Sequence, residues 1–580
     1  MAEPRLQVPN LEDWSGRDLL WLGAAALLLF ATGIGLRDPW PADEPRFAVL
    51  ARDMFHSGDW LFPRVGGDLY QDKPPLYFWL LTAAYAVTGS VRASFLLPSL
   101  LASFGILGLV YDLGRRMAGR HAGLLAALTL ACTVQFLTTM RSAQIDATLC
   151  FLMTLSLYGL LRHLLWGPSW GWYAVGGFAA GLGVITKGVG FLPMLLPLVF
   201  VLMRKRRWQP LPHFAGGWRW SIAPLAMLLG ICVWFVPMLI GAATRGAEYA
   251  AYRDEILFRQ TVTRYGKAWH HHEPWYYFLV QVIPLLWLPF SLLFVWLFPR
   301  WREAWRARDS RVWLPLGWVL VMLLFFSSSP GKRGIYVNPA LPAIAIAAAP
   351  FLAGLYARRG VQRAALFLAA VPLLAALVLV VAHALGAGFA VKALSQANLD
   401  GAWPLWLFMG IAAVGLFLVL RRKPEAGWPI AAWPVVLVSL ALVQGYVIAP
   451  AMNPERSGSA FTRAAMARVG PDELAGLMAY KEQFLLYLDR PTVNFGHRRT
   501  QEGDQEGFDA AAWLAASPGR VLLVPAGAAL DLCFANAQRE SAGITSGDEW
   551  FLVRGSPSPD CISRGDAARA ILYRPPPSGP

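Results

Sequence analysis

The chain has 580 residues, of which 56% are hydrophobic before its 53 glycines are counted and only 15% are charged. A soluble domain carries roughly a quarter charged residues, so the composition excludes a soluble enzyme, a disordered chain and a fibrous protein, and marks a polytopic membrane protein. The net charge of +15 does not imply a nucleic-acid partner, because the basic residues fall in short clusters between apolar runs. The clusters are Arg115, Arg116, Arg120; Arg204 to Arg207; Arg300, Arg302, Arg306, Arg308, Arg311; Arg358, Arg359, Arg363; and Arg421, Arg422, Lys423. Such spacing is that of cytoplasmic loops under the positive-inside rule.

A bilayer span takes about 20 apolar residues. Runs of that kind fall near 19–36, 94–112, 122–139, 147–165, 171–186, 188–203, 221–243, 275–298, 313–329, 334–356, 364–386, 403–420 and 430–450, which predicts thirteen transmembrane helices. The two short runs at 171–186 and 188–203 can also be merged into one. The first run reads as a retained helix rather than a signal peptide, since Glu3, Glu12, Asp13 and Asp18 precede or open it and no small-residue cleavage site follows. An odd number of spans that starts inside leaves the C-terminus outside and every basic cluster on the cytoplasmic side. The expected fold class is an α-helical polytopic membrane protein, with a membrane domain over residues 1–450 and a small α/β domain outside the membrane over 451–580.

Two segments on the non-cytoplasmic side are too long for turns. In the first, residues 37–93, Phe47, Leu50, Met54 and Phe55 recur at helical spacing and predict an amphipathic helix lying on the membrane surface. In the second, the runs Phe484–Leu488, Val521–Val524 and Trp550–Val553 predict short buried strands, and the proline-rich end from Pro575 predicts disorder. Cys533 and Cys561 lie in this tail, where an oxidising compartment permits a disulfide closing a loop of 28 residues, worth roughly 3 kcal/mol.

Ionisable residues concentrate in the first outer segment. Asp43 and Glu44 open the amphipathic helix before Pro45; Asp43 suits an N-cap, and equally a general base or metal ligand fixed at the membrane surface. Asp72 and Lys73 precede two prolines that stiffen the chain. Arg141 and Asp146 sit between spans, where ionisable groups are expensive and pairing or function is the default, and Lys187 lies in an equally tight turn. The loop 244–274 offers Arg264 and Lys267 as phosphate-binding cations, and His270, His271, His272 and Glu273 as solvated residues or as ligands of a divalent metal. The loop 327–339 supplies Lys332, Arg333 and Tyr336. There is no Walker A motif, G-x-S-x-G elbow or C-x-x-C pair, so no nucleotide cofactor is expected. An outer-face enzyme without nucleotides needs an activated substrate already in the membrane, such as a lipid phosphosugar.

The stretches Asp43-Glu-Pro-Arg-Phe, Ser57-Gly-Asp-Trp60 and Asp72-Lys-Pro-Pro-Leu-Tyr-Phe-Trp79 resemble the first outer loop of the polyprenol-phosphate-sugar glycosyltransferases of GT-C fold. The branch most similar is that of the aminoarabinose lipid A transferases (ArnT-like), relatives of the protein O-mannosyltransferases. The resemblance continues at Arg141 and Asp146, Gly183–Gly188, Glu273–Tyr277 and Phe325–Pro342, in the same order over residues 20–350. It implies a catalytic carboxylate at Asp43 with Asp146 beside it, a carrier-lipid phosphate held by Lys73 and Arg264, and Tyr336 nearby. Where that family has a Ser-Lys-Leu-Pro-x-Tyr type of pattern, this chain reads Gly331-Lys-Arg-Gly-Ile-Tyr336.

The expected catalytic residues are therefore Asp43, Asp146 and Glu44. The expected phosphate-binding residues are Lys73, Arg264, Lys267, Tyr336 and Lys332, and the expected metal ligands Asp72, His270, His271 and Glu273. The expected reaction, in a bacterial inner membrane, moves 4-amino-4-deoxy-L-arabinose from undecaprenyl phosphate to a lipid A phosphate on the outer face. Other polyprenol-linked sugars, such as mannose, and protein or lipid acceptors remain alternatives within the class, and a lipid-carrier flippase lies outside it. The partners are the lipid-linked donor, the acceptor and membrane lipids; the sequence does not speak to an oligomeric state.

Overall fold

The computed structural model describes residues 15–209, 211–212, 214, 217–257, 272–421, 428–497 and 499–576. Among them, eight helices are long and apolar enough to cross a membrane: Val91–Ala118, Ile145–Trp166, Trp218–Thr244, Ser310–Ser328, Gly334–Tyr356, Arg359–Ala384, Trp403–Arg421 and Pro429–Met466. Two bent pairs, Arg120–Ala131 with Val134–Met140 and Phe278–Leu286 with Phe290–Arg306, raise the number to ten. All thirteen apolar runs lie in helices, and three are shorter or less apolar than those ten. Helix Gly16–Phe30 has only 15 residues. Trp170–Lys187 dilutes its apolar residues with five glycines and a lysine. The run at 188–203 divides into a 3-10 turn, Val189–Leu195, holding Pro193, and a short helix, Leu196–Lys205. The glycines serve close packing instead: a Cβ on Gly177 would meet the Ala223 carbonyl oxygen of helix Trp218–Thr244 at 2.1 Å.

The two bends are tied together and set the position of the site. Val134 donates its N–H to the Leu288 carbonyl at 2.9 Å, so each helix break meets the other. Trp287 Nε1 donates to Gln135 Oε1 at 2.7 Å, and Gln135 Nε2 donates to the Gly334 carbonyl at 2.6 Å. Gln135 thus fixes the tip that precedes helix Leu341–Tyr356. At the far end of helix Gly16–Phe30, Asp18 accepts from Tyr111 at 2.7 Å and from Arg120 at 2.9 Å, while Asp112 binds Arg115 at 2.6 Å. These basic residues lie at the opposite end of that helix from Arg141, which donates to the Leu29 carbonyl.

The last span does not stop at residue 450. It runs through a π turn, Gln444–Ile448, to Arg456, and after a break at Gly458 (φ 70°) the short helix Ser459–Met466 packs with the sheet unit through Phe461 and Met466. The strands are β1 (Arg64–Val65), β2 (Asp68–Leu69), β3 (Leu474–Leu477), β4 (Thr492–Asn494), β5 (Arg520–Pro525), β6 (Gln538–Thr545), β7 (Asp548–Arg554) and β8 (Ile571–Tyr573). The last six form one sheet in the order β6-β7-β5-β3-β4-β8, parallel at β5-β3 and β3-β4 and antiparallel elsewhere. Alternate side chains of β5 take opposite faces, as strand geometry requires. Val521 and Leu523 pack toward the first outer segment, Leu522 and Val524 toward helix Gln505–Ala515. The runs at 521–524 and 550–553 are strands as expected. Phe484–Leu488 is not, because Glu482–Leu485 forms a helical turn with Phe484 and Leu485 buried; so short an apolar run does not separate the two forms. Cys533 and Cys561 form the disulfide, with their Cα atoms 5.5 Å apart.

The sheet unit sits on the first outer segment. Helix Glu44–Ser57 is amphipathic as expected, yet it does not lie free on a membrane surface: Phe47, Leu50 and Met54 are buried with Phe484 and Leu523 of the sheet unit in one apolar cluster. Arg52 donates to the Leu485 carbonyl at 2.8 Å and to Tyr573 Oη at 2.7 Å, and Tyr573 Oη donates to Asp53 at 3.0 Å. Burial pushes the Asp53 carboxyl up to about 6, against the opposing pull of Arg52 and Tyr573. The β1–β2 hairpin turns on Gly66 and Gly67, both at positive φ (60° and 91°), as a two-residue hairpin turn demands. Asn494 of β4 donates to the Gly66 carbonyl at 2.8 Å.

Candidate active site

Asp43 precedes helix Glu44–Ser57 with helical dihedrals (φ −95°, ψ −32°), and its side chain makes no capping hydrogen bond. The N-cap role expected for it is therefore not taken up. Its carboxylate instead faces two guanidinium groups, Arg46 at 3.7 Å and Arg333 at 3.6 Å, and stays 24% exposed. Arg46 is held firmly by Glu482 of the sheet unit at 2.7 Å. Glu44, the next residue, is committed elsewhere: it accepts from Arg37 at 2.7 and 2.8 Å, from the Trp40 N–H at 2.9 Å and from the Ala143 N–H at 2.9 Å. Both of its oxygens are thus engaged in a buried knot that fixes the entry to the helix. Two adjacent acids have divided the work, one holding the backbone and one facing open space.

Asp146 lies in the first turn of helix Ile145–Trp166, where an acid is favoured by the helix dipole. Lys187, at the end of helix Trp170–Lys187, reaches it at 2.6 Å and sits 4.5 Å over the ring of Tyr336. The tip 331–340 therefore touches both acids, Asp43 through Arg333 and Asp146 through Tyr336 and Lys187. Within the tip, Lys332 is buried and donates to the carbonyls of Glu273 and Ser329 at 2.8 and 2.5 Å. Arg333 is extended (φ −128°, ψ 141°), so its side chain takes the side opposite Lys332. Burial raises the Tyr77 hydroxyl well above its ordinary range, and the charges of Glu44, Asp43 and Asp146 all add to the effect. That phenol finds no hydrogen-bond partner among the described residues.

Beside Asp43 opens a cavity of about 460 Å³, lined by Arg37, Asp43, Arg141, Arg333 and Gln444 among others. Arg141 crosses its floor, donating to the Leu29 carbonyl at 2.6 Å, to the Thr32 hydroxyl and to the Gln444 side-chain oxygen. All of these acceptors are neutral. Gln444 belongs to the π turn, a distortion that recurs at functional sites. Such a space, with a carboxylate on its edge and several cations around it, suits stabilisation of a developing positive centre beside an anion.

The other sequence-derived residues are placed as follows. Asp72 and Lys73 are half-buried in the segment before helix Leu76–Thr88 and do not line the cavity. Arg264, Lys267, His270 and His271 lie outside the described residues. Glu273 takes part through its backbone, and among the described residues no three His, Cys, Asp or Glu side chains gather as metal ligands. Sequence reasoning did not find Arg37, Arg46 or Glu482, nor the pairing of Lys187 with Asp146. The signal for the last was present, since a lone lysine closing an apolar helix needs a partner.

Residues 72–240 match the family described as dolichyl-phosphate-mannose-protein mannosyltransferase. Among curated proteins, the chain is similar to the undecaprenyl phosphate-alpha-4-amino-4-deoxy-L-arabinose arabinosyl transferase of Pseudomonas aeruginosa, 31% identical over 338 residues, covering 55% of this chain and 58% of that protein. The Yersinia pestis protein of the same name is 28% identical over 344 residues, covering 57% and 59%. These matches therefore span less than two thirds of the relatives' length. The crystal structure of ArnT from Cupriavidus metallidurans bound to undecaprenyl phosphate superposes with a TM-score of 0.72 at 22% identity, covering 93% of this chain and 98% of that one. Its apo state gives 0.71 at 21% identity. The chain has the polytopic GT-C fold of that enzyme.

Proposed function

We propose that this chain is a glycosyltransferase that moves 4-amino-4-deoxy-L-arabinose from undecaprenyl phosphate to a lipid A phosphate, on the membrane face that carries the sheet unit. The observation that carries the reading is the convergence of Asp43 and Asp146 on one tip, in a fold shared with an enzyme crystallised with undecaprenyl phosphate. In the reaction, an acceptor phosphate oxygen forms a bond to the anomeric carbon. The bond from that carbon to the carrier phosphate breaks, and the carrier leaves with the electron pair. A phosphate acceptor needs no strong base, so Asp43 acts on the positive charge that develops at the sugar. Lys73, Arg264 and Lys267 are assigned to the leaving phosphate, with Lys187 and Tyr336 setting the position of Asp146. A divalent ion on Asp72, His270, His271 and Glu273 remains a proposal, tested by chelator sensitivity of transfer.

A hydroxyl acceptor is the second reading, favoured by the match to a mannosyltransferase family over residues 72–240; there Asp43 would take the hydroxyl proton. The face with the sheet unit is assigned to the periplasm of an inner membrane. Purified protein in liposomes, given undecaprenyl phosphate aminoarabinose and lipid A, is expected to yield glycosylated lipid A by mass spectrometry. Absence of product with an intact donor, or donor movement across the bilayer without transfer, overturns the reading.

A further inference from the structure

The two cations on Asp43 differ in kind. Arg46 is 21% exposed and anchored to Glu482 at 2.7 Å. Arg333 is 44% exposed, approaches Asp43 only to 3.6 Å, beyond hydrogen-bond length, and makes no hydrogen bond from its guanidinium to any described residue. It sits on a tip whose neighbours are fixed: Lys332 by two carbonyls, and the Gly334 carbonyl by Gln135. The backbone is therefore held while the guanidinium has no hydrogen bond to the described residues.

The charge of the adjoining cavity is not balanced. Arg37 is neutralised by Glu44 in a bidentate pair, so that couple contributes no net charge. Among the described residues, Arg141 bonds only neutral acceptors. Asp43 is shared between Arg46 and Arg333, with Arg46 itself also paired to Glu482. The walls thus carry excess positive charge around about 460 Å³, a volume within the usual range for a small-molecule site. An anionic group entering there meets Arg141 on the floor and Arg333 at the rim.

We propose that this cavity receives the anionic phosphate of the acceptor and that Arg333 selects for it, leaving Asp43 to bind that phosphate as it arrives. The proposal deepens the glycosyltransferase reading and rests on it for the identity of the acceptor. Asp43 keeps Arg46 at 3.7 Å when Arg333 departs, so the carboxylate retains a charged partner while its face toward the sugar is uncovered. A neutral acceptor offers Arg333 nothing and leaves it on Asp43. Selection for a phosphate and uncovering of the catalytic carboxylate become one movement of one side chain.

The test uses the full-length chain in phosphatidylcholine nanodiscs, with no donor present. Binding is measured for a diacylated glucosamine 1-phosphate and for the same lipid without its phosphate. Arg333→Gln is expected to weaken binding of the phosphorylated lipid by about ten- to a hundredfold, the scale of a lost hydrogen bond to a charged group. Binding of the dephosphorylated lipid is expected to stay within about twofold of wild type, and Arg333→Lys to restore most of the loss, as a point charge in place of a fork. In turnover, the acceptor KM rises and the donor KM does not. Unchanged phosphate-lipid binding in Arg333→Gln overturns the proposal, and so does an equal loss for both lipids. The two readings fail separately. Transfer as proposed with unaltered acceptor binding in Arg333→Gln sinks only the Arg333 assignment. Selective loss of phosphate-lipid binding in Arg333→Gln, together with a wild-type protein that does not use the aminoarabinose donor, sinks only the donor reading.

Discussion

Replacing Asp43 by Asn separates scaffold from chemistry at the centre of the site. The side chain makes no capping bond to helix Glu44–Ser57, and Asn caps about as well as Asp in any case, so the helix start loses nothing. What is lost is the charge in two contacts of 3.7 and 3.6 Å at a carboxylate that is 24% exposed. Pairs of that kind contribute about 0–1 kcal/mol each, and Arg46 keeps its 2.7 Å bond to Glu482. The expected stability change is therefore below about 2 kcal/mol, visible as a small shift in melting of the detergent-solubilised protein. Transfer, in contrast, loses a charge aimed at the reacting carbon and is expected to fall by a factor on the order of 100, or about 2.7 kcal/mol of barrier. Turnover of undecaprenyl phosphate aminoarabinose in liposomes reads the rate, and size-exclusion with melting reads the fold. A folded Asp43→Asn protein that transfers at the wild-type rate refutes the assignment.

The neighbouring acid should behave in the opposite way. Glu44→Gln breaks a buried bidentate pair with Arg37 and is expected to cost about 3–5 kcal/mol, seen as lost expression and melting, with partial recovery in the double variant Arg37→Met; normal stability of Glu44→Gln would contradict the knot. Lys187→Met removes the partner of Asp146 at 2.6 Å and should lower transfer about tenfold or more with the fold intact, so a wild-type rate in that variant removes Lys187 from the site. Burial raises Asp53 from 3.8 to about 6, so its neutral form is the one the fold prefers; the contribution is complete below about pH 4 and lost as pH rises through 6. Asp53→Asn should therefore flatten the fall in melting temperature between pH 4 and 7, whereas an unchanged pH profile would show that Asp53 does not titrate in that range. A C-terminal alkaline phosphatase fusion should be active in a bacterial host; an inactive phosphatase fusion together with a fluorescent GFP fusion would reverse the proposed orientation.

What the sequence reveals follows the range of the interactions involved. Apolar periodicity is local, so every predicted run is found in a helix, and Val521–Val524 and Trp550–Val553 are strands as read. Bends are not local in the same sense. The run 122–139 reads as one span, but the chain turns by 69° between Ala131 and Val134, where the N–H of Val134 is taken by Leu288 from another broken helix. Asp43, Asp146 and Tyr336 stand out because ionisable or polar residues beside apolar runs are costly. The division of labour between Asp43 and Glu44 is invisible locally, since Glu44 is claimed by the Ala143 N–H 99 residues away and Asp43 by Arg333 on a distant tip. The amphipathic helix is readable from its spacing, but its cover is the sheet unit, more than 400 residues later.

That last separation has a consequence for how the protein is made. Asp53, on the helix that Asp43 opens, receives its hydrogen bond from Tyr573, 520 residues downstream. At roughly 5–20 residues per second, the ribosome needs about 30–100 s to deliver that partner after the helix has emerged. For most of that interval, until Phe484 and Leu523 are made, the face of Phe47, Leu50 and Met54 lacks the cover the finished chain gives it. The nascent helix therefore has to be sheltered by the bilayer or by the secretion machinery until the part of the sheet unit that carries Phe484 and Leu523 arrives. A ribosome that stops ten codons short of Tyr573 leaves a chain in which Arg52 can still reach Leu485 but Asp53 lacks its Tyr573 donor.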